Sequence, residues 1–193
     1  MAQEFNTGLT GGINEAALTL GLEPAANYSR EPKDALQLFE EHATRSPDQL
    51  AVVCLGRKWT YGELNARADQ LAAHLRSKGV GPKGLVAISA HRSLEMVLAI
   101  LGVLKTGGAY VPLDPAYPKE RLEFMIADSQ PALCLTQSHL ANHLPGFPGE
   151  TVLLDAFSCS TSDPDNEDWK PTYCAGDLAY VIYPRAQPES PKA

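Results

Sequence analysis

The chain holds no lysine- or arginine-rich cluster, and its formal net charge is −7. Without a basic groove or patch, a nucleic-acid partner is not expected. It also has no long apolar run. The longest, MVLAILGVL (Met96 to Leu104), falls far short of the ~20 residues a membrane-spanning helix needs, so no membrane is expected. The start, MAQEFNTGLTGG, lacks the basic n-region and apolar h-region of a secretory signal. Cysteine is sparse. Cys54, Cys134, Cys159 and Cys174 show no paired spacing for zinc or thiol redox chemistry, and without an export signal they read as reduced thiols of a cytoplasmic protein. Two glycine motifs are missing as well. G-x-x-x-x-G-K-[ST] does not occur, which leaves a P-loop little support; the single G-x-G-x-x-G, Gly79 to Gly84, stands between a helix and the strand that follows, the reverse of the order a dinucleotide fold needs. No G-x-S-x-G elbow occurs to seat a hydrolase serine.

What is present suits a globular α/β protein. At 193 residues, 44% hydrophobic and 20% charged, the chain matches one domain or a piece of a larger one. Residues 1–33 read as a poorly ordered leader, Gly-rich and then polar. From there the hydrophobic period alternates between helix and strand. Asp34 to Thr44 places Leu36, Phe39 and Ala43 on one helical face. LAVVCLGRKWTY reads as a hairpin turning at Gly56-Arg57. Tyr61 to Lys78 carries the stripe Leu64, Ala68, Leu71, Ala72 and Leu75, and Gly79 stops it. LVAIS (85–89) reads as a strand covered on both faces, followed by a helix capped by Ser93 and ended by TGG (106–108). AYVPL (109–113), a helix from about Lys119 to Asp128, ALCLT (132–136), a short helical stretch near Ser138 to His143 and TVLLD (151–155) come next. An acidic loop, STSDPDNEDWKP, precedes a final buried strand, LAYVIY. Strands alternating with helices mean a mostly parallel sheet with flanking helices. No internal repeat occurs.

Few residues invite a chemical reading. His139 and His143, at i and i+4, could face one metal, but no adjacent Glu or third ligand accompanies them and Pro145 cuts the helix short; no metal is assigned. Asp114 and Asp155 each end a strand. They read either as a polar rim of a ligand site or, in the ordinary use of aspartate, as caps of the following turns. The glycines at 107 and 108 precede a strand, whereas a dinucleotide fingerprint needs them after one.

The last absence is the most informative. A strand followed by a loop is where many nucleotide-binding enzymes place a phosphate cradle, and a cradle needs glycines so that backbone can approach phosphate oxygens. After Tyr183 the chain reads PRAQPESPKA, with no glycine at all.

Two long strings are distinctive as wholes. WTYGELNARADQLAAHLRSKGVGPKGLVAI (Trp59 to Ile88) and LAILGVLKTGGAYVPLDPAYPKERLEFMIADSQP (Leu98 to Pro131) strongly resemble adenylation domains of non-ribosomal peptide synthetases, within the adenylate-forming enzyme superfamily. LFEEHATRSPDQLAVV (Leu38 to Val53) resembles the usual start of such a domain, so the resemblance covers roughly Leu36 to Tyr183. LKTGGAYVPLDPAYPKERL resembles the amino-acid-activating branch more closely than acyl-CoA ligases or luciferase-like relatives. The resemblance implies a reaction. Such domains bind an amino acid and Mg-ATP, form an aminoacyl adenylate with release of pyrophosphate, and pass the acyl group to the phosphopantetheine thiol of a peptidyl carrier protein. Attack of a carboxylate on the α-phosphate needs phosphate charge neutralised and the attack aligned.

After a strand like DLAYVIY the family typically carries TSGSTGKPKG. Aligned without a gap, this chain retains only Pro191 and Lys192 of that loop. Its hydroxyls and glycines are gone, added prolines remove N–H donors, and Glu189 adds negative charge. A shifted reading frame explains the substitution. ACC TCG GGC TCA ACC GGA AAG CCC AAA GGC spells the family loop; begun one base later it reads CCT CGG GCT CAA CCG GAA AGC CCA AAG GC-, or Pro-Arg-Ala-Gln-Pro-Glu-Ser-Pro-Lys-Ala, which is residues 184–193.

The expectation is therefore an N-terminal piece of an adenylation domain in residues 34–183 with an incomplete sheet, followed by a frameshifted tail in 184–193. Such a piece binds no ATP and aggregates or oligomerises when alone. No catalytic residue is assigned, since the family's amino-acid pocket and later ATP contacts lie downstream; Lys192 is the one matched loop cation. The alternatives are a non-catalytic module that docks onto an intact synthetase, or part of an acyl-CoA ligase relative.

Overall fold

A computed structural model describes residues 34–157 and 178–184, which belong to the compact unit Asp34–Ala193. The expected leader (1–33), the acidic loop (160–171) and residues 185–193, Lys192 among them, lie outside the described residues.

Local signals start the helices. In α1 (Ala35–Arg45), the Gln37 N–H donates to Asp34 Oδ1 at 2.8 Å and the Asp34 N–H donates back to Gln37 Oε1, a reciprocal cap of two otherwise orphaned donors. The chain then forms an antiparallel hairpin, β1 (Leu50–Cys54) with β2 (Arg57–Thr60), as the two apolar runs predict. Thr60 and Glu63 repeat the reciprocal cap at the start of α2 (Tyr61–Ser77). The expected stripe of Leu64, Ala68, Leu71, Ala72 and Leu75 is buried along its whole length. Gly79, at φ +86°, makes the left-handed exit that ends the helix.

The main sheet has four parallel strands in the order β4-β3-β5-β6, where β3 is Leu85–Ser89, β4 Ala109–Pro112, β5 Leu133–Thr136 and β6 Glu150–Leu153. Helix α3 (Leu94–Leu104) joins β3 to β4, α4 (Lys119–Ser129) joins β4 to β5, and a 3₁₀ turn (Ser138–His143) precedes β6. The strand period of two divides the core between the sheet faces. Val86, Ile88, Leu133, Leu135 and Val152 pack with α2 and α3, while Ala87, Val111 and Cys134 pack with Leu122, Met125 and Ile126 of α4. Covered on both faces, β3 and β5 can be apolar throughout, which is how their sequences read. The α/β class with a parallel sheet and flanking helices is thus what the chain forms.

Helix α3 lies close against α2 because Gly102 has no side chain: a Cβ there would stand 2.6 Å from Leu71 Cδ2. At the end of α3, Gly108 packs against the start of β3, where a Cβ would meet the Gly84 carbonyl oxygen at 2.9 Å.

The final strand departs from expectation. LAYVIY reads as a buried strand, but residues 178–184 form a single parallel bridge, Tyr180 to Tyr110 of β4. Two backbone bonds support it: the Tyr110 N–H donates to the Ala179 carbonyl at 3.1 Å and the Val181 N–H to the Tyr110 carbonyl at 2.9 Å. Leu178, Tyr180 and Ile182 remain 56%, 51% and 64% exposed, while Val181 and Tyr183 turn inward against the α4 core. The cause is position, since the segment lies at the sheet edge beyond β4 and only one of its faces has cover among the described residues.

Candidate functional site

The connections out of β3 and β5 diverge, one leading to β4 and the other to β6 on the opposite side. Adjacent strands whose chains leave in opposite directions open a crevice at their carboxyl ends, where parallel α/β sheets bind ligands. Polar side chains fasten this edge. Thr136 Oγ1 donates to the Ser89 carbonyl at 2.7 Å. Gln137, only 8% exposed, accepts from the His91 N–H at 2.8 Å and donates through Nε2 to Ser93 Oγ at 3.3 Å. Ser93 in turn caps α3 by accepting from the Met96 N–H at 3.1 Å. One amide thus ties the end of β5 to the loop that enters α3 and carries His91 and Arg92. No local pattern signals Gln137's part, because its partners lie more than forty positions away.

Beside this latch is a cleft of about 660 Å³, open at the ends of β3 and β4 and at residues 182–183. Met96, Ile100, Tyr110, Pro112 and Ile182 supply apolar wall, and His91, Arg92, Asp114, Tyr117 and Tyr183 supply polar groups. Among the described residues that line the cleft, Arg92 carries a permanent positive charge and none is a glycine or a lysine, so these residues alone do not make a triphosphate cradle. The glycines of the LKTGG string stand at the start of β4, the opposite end of the strand. There Gly107, at φ +77°, turns the chain and Thr106 Oγ1 accepts from the Gly108 N–H at 3.1 Å. They shape a turn and are remote from any phosphate at the carboxyl edge.

The two aspartates act as caps. Asp114 Oδ1 accepts from the Ala116 N–H at 2.9 Å, closing the turn that follows β4 on the cleft rim. Asp155 Oδ1 accepts from both the N–H and the hydroxyl of Ser138, at 2.8 and 3.0 Å, so it holds the start of the 3₁₀ turn after β5. Burial would raise its pKa, but the Ser138 donors outweigh burial and hold the carboxyl below its ordinary value. His139 stacks on His91 with ring centroids 5.5 Å apart, and no cluster of three or more metal-ligating side chains occurs among the described residues. Burial pushes the Cys134 thiol up to about 12, far from a reactive thiolate. No helix among the described residues is long and apolar enough to cross a membrane.

Comparison with known proteins places the chain in a family. The model of the AMP-binding enzyme family matches residues 39–184. The chain is 44% identical over 188 residues to tyrocidine synthase 3 of Brevibacillus parabrevis, covering 94% of the chain and 3% of that protein. It is 46% identical over 156 residues to bacitracin synthase 2 of Bacillus licheniformis, covering 81% of the chain and 6% of that protein. Among solved structures it is similar to the non-ribosomal peptide synthetase FmoA3 in its AMPPNP-bound form, with TM-score 0.71, 31% identity, and 89% of this chain against 18% of that one. The chain therefore spans a small part of the relatives it matches. It belongs to the AMP-binding enzyme family and corresponds to the N-terminal part of a non-ribosomal peptide synthetase adenylation domain.

Proposed function

We propose that these residues are the opening portion of an amino-acid-activating adenylation unit whose phosphate loop has been replaced by a shifted-frame peptide. In the intact unit an amino acid and Mg-ATP would give aminoacyl-AMP and pyrophosphate, and the acyl group would pass to the phosphopantetheine of a carrier protein. One observation carries the reading. Residues 178–184 run parallel to β4 and bring the chain to the carboxyl-edge cleft at Tyr183, where a phosphate loop would have to begin. The family match stops at the same place, residue 184, and leaves 185–193 unmatched.

The chemistry that follows is negative for this polypeptide. The described residues that line the cleft include no glycine, and the sequence of residues 184–193 offers Lys192 with no glycine to bring N–H groups against phosphate. The purified 193-residue chain is expected to show no amino-acid-dependent exchange of pyrophosphate into ATP. Robust exchange with any amino acid would overturn the proposal.

A further inference from the structure

Helix α4 turns one row of side chains, Arg121, Phe124 and Asp128, toward the segment that leads to the cleft. Arg121 Nη2 donates to the Pro184 carbonyl at 2.9 Å, and its guanidinium lies 4.3 Å from the Tyr117 ring centroid, which holds the planar group over an aromatic face. Phe124 meets the Tyr183 ring edge to face, with centroids 6.1 Å apart. The Tyr183 hydroxyl donates to Asp128 Oδ2 at 2.5 Å. Three successive contacts therefore grip the last two described residues, on the side of the segment away from its exposed face.

The grip is out of proportion to the strand it holds. A single bridge with two backbone bonds is a weak attachment, and Phe124 is itself 61% exposed, so apolar burial adds little. Charged hydrogen bonds, with the partial packing of Val181 and Tyr183 against the α4 core, are what remain to set the path of the chain. The Arg121 contact also ignores side-chain identity, because it reads the carbonyl of residue 184. Proline, or the threonine of an unshifted frame, would present the same acceptor. Burial and then the Asp128 carboxylate raise the Tyr183 phenol above its ordinary value, as expected of a hydroxyl that must stay protonated to donate.

We infer that Arg121 and Asp128 are positioning residues, a clamp on α4 that fixes where and in what direction the chain runs at Tyr183 and Pro184, beside the cleft. Its role in nucleotide binding rests on the reading of residue 184 as the start of the phosphate loop; the clamp itself does not.

Hydrogen exchange of the 193-residue chain, followed by mass spectrometry, tests it. Arg121→Ala is expected to speed exchange across residues 178–184 by about tenfold, and Asp128→Ala by about threefold, with β3 and β5 amides unchanged. Arg121→Lys, which keeps a charged donor, is expected to recover part of the protection. With ¹³Cζ-labelled tyrosine, the Tyr183 resonance should titrate higher in the unsubstituted chain than in Asp128→Asn, a shift that simple loosening of α4 would not produce. Exchange within about twofold of the unsubstituted chain in both alanine variants, over an intact core, would overturn the clamp. Should the alanine variants lose core protection, Tyr183→Phe decides: faster exchange at 178–184 supports the clamp and unchanged exchange overturns it. No arm contains ATP, so failure of the clamp and failure of the phosphate-loop reading are separately visible.

Discussion

At the scale of single residues, the hairpin turn carries a visible strain. Leu55 is 96% exposed and sits at φ +49°, followed by Gly56 at φ +77°. Two successive left-handed residues make the mirror-image turn that matches strand twist, and asparagine or glycine suits its first position. A leucine there costs about 1–2 kcal/mol of backbone strain and gains no burial in return. Leu55→Asn is expected to stabilise the chain by about 1 kcal/mol, read as a higher midpoint in chemical unfolding; a lower midpoint would mean that Leu55 makes a contact worth more than its strain. Residue identity was a fair guide where partners are close in sequence. The caps made by Asp34, Thr60 and Ser93 follow from helix-start chemistry. Asp114 and Asp155 stayed ambiguous, since a cap and a site rim place the same residue at the same strand end. Gln137, Arg121 and Tyr183 were not legible, because each acts on a segment dozens of residues distant.

At the scale of elements, three helices meet at a buried lysine. Lys105, at the end of α3 and 5% exposed, donates to Glu40 of α1 at 2.5 Å and reaches Asp69 of α2 at 2.7 Å. The two carboxylates keep 36% and 45% of their side-chain surface in solvent, so their desolvation is partial while that of the ammonium is nearly complete. The asymmetry predicts an order of effects. Lys105→Met leaves two hydrated carboxylates and is expected to cost about 1 kcal/mol, whereas Glu40→Gln with Asp69→Asn leaves a buried charge unpaired and should cost about 3 kcal/mol. Urea unfolding of the two variants measures both, and equal losses would show that packing, rather than charge, dominates there. Elements with a strong period were readable from sequence, because burial of one helical stripe or of both faces of a strand is written locally. The last strand was not. LAYVIY is apolar on both faces, which predicts cover on both, yet an edge is a property of the sheet's neighbours and leaves no mark in the segment itself.

At the scale of the whole molecule, that edge is the feature most in need of a partner. Leu178, Tyr180 and Ile182 form an alternating exposed row beside a strand attached by one bridge. An exposed apolar row at a sheet edge is a template for pairing with another chain. Expressed alone, the 193-residue chain is expected to self-associate and to bind a hydrophobic dye. A monodisperse monomer that unfolds cooperatively and leaves the dye unbound would contradict this. The same edge leads into the tail whose origin decides what the molecule is. The most direct measurement is the nucleotide sequence from the codon for Ile182 through the codon for Ala193, with the bases beyond it. The expected result is a neighbouring frame that spells Thr-Ser-Gly-Ser-Thr-Gly-Lys-Pro-Lys-Gly from the position of Pro184 and runs on into adenylation-domain sequence. Codons that specify Pro-Arg-Ala-Gln-Pro-Glu-Ser-Pro-Lys-Ala, with no glycine-rich loop in any neighbouring frame, would contradict it and make residues 184–193 a genuine segment that binds no phosphate.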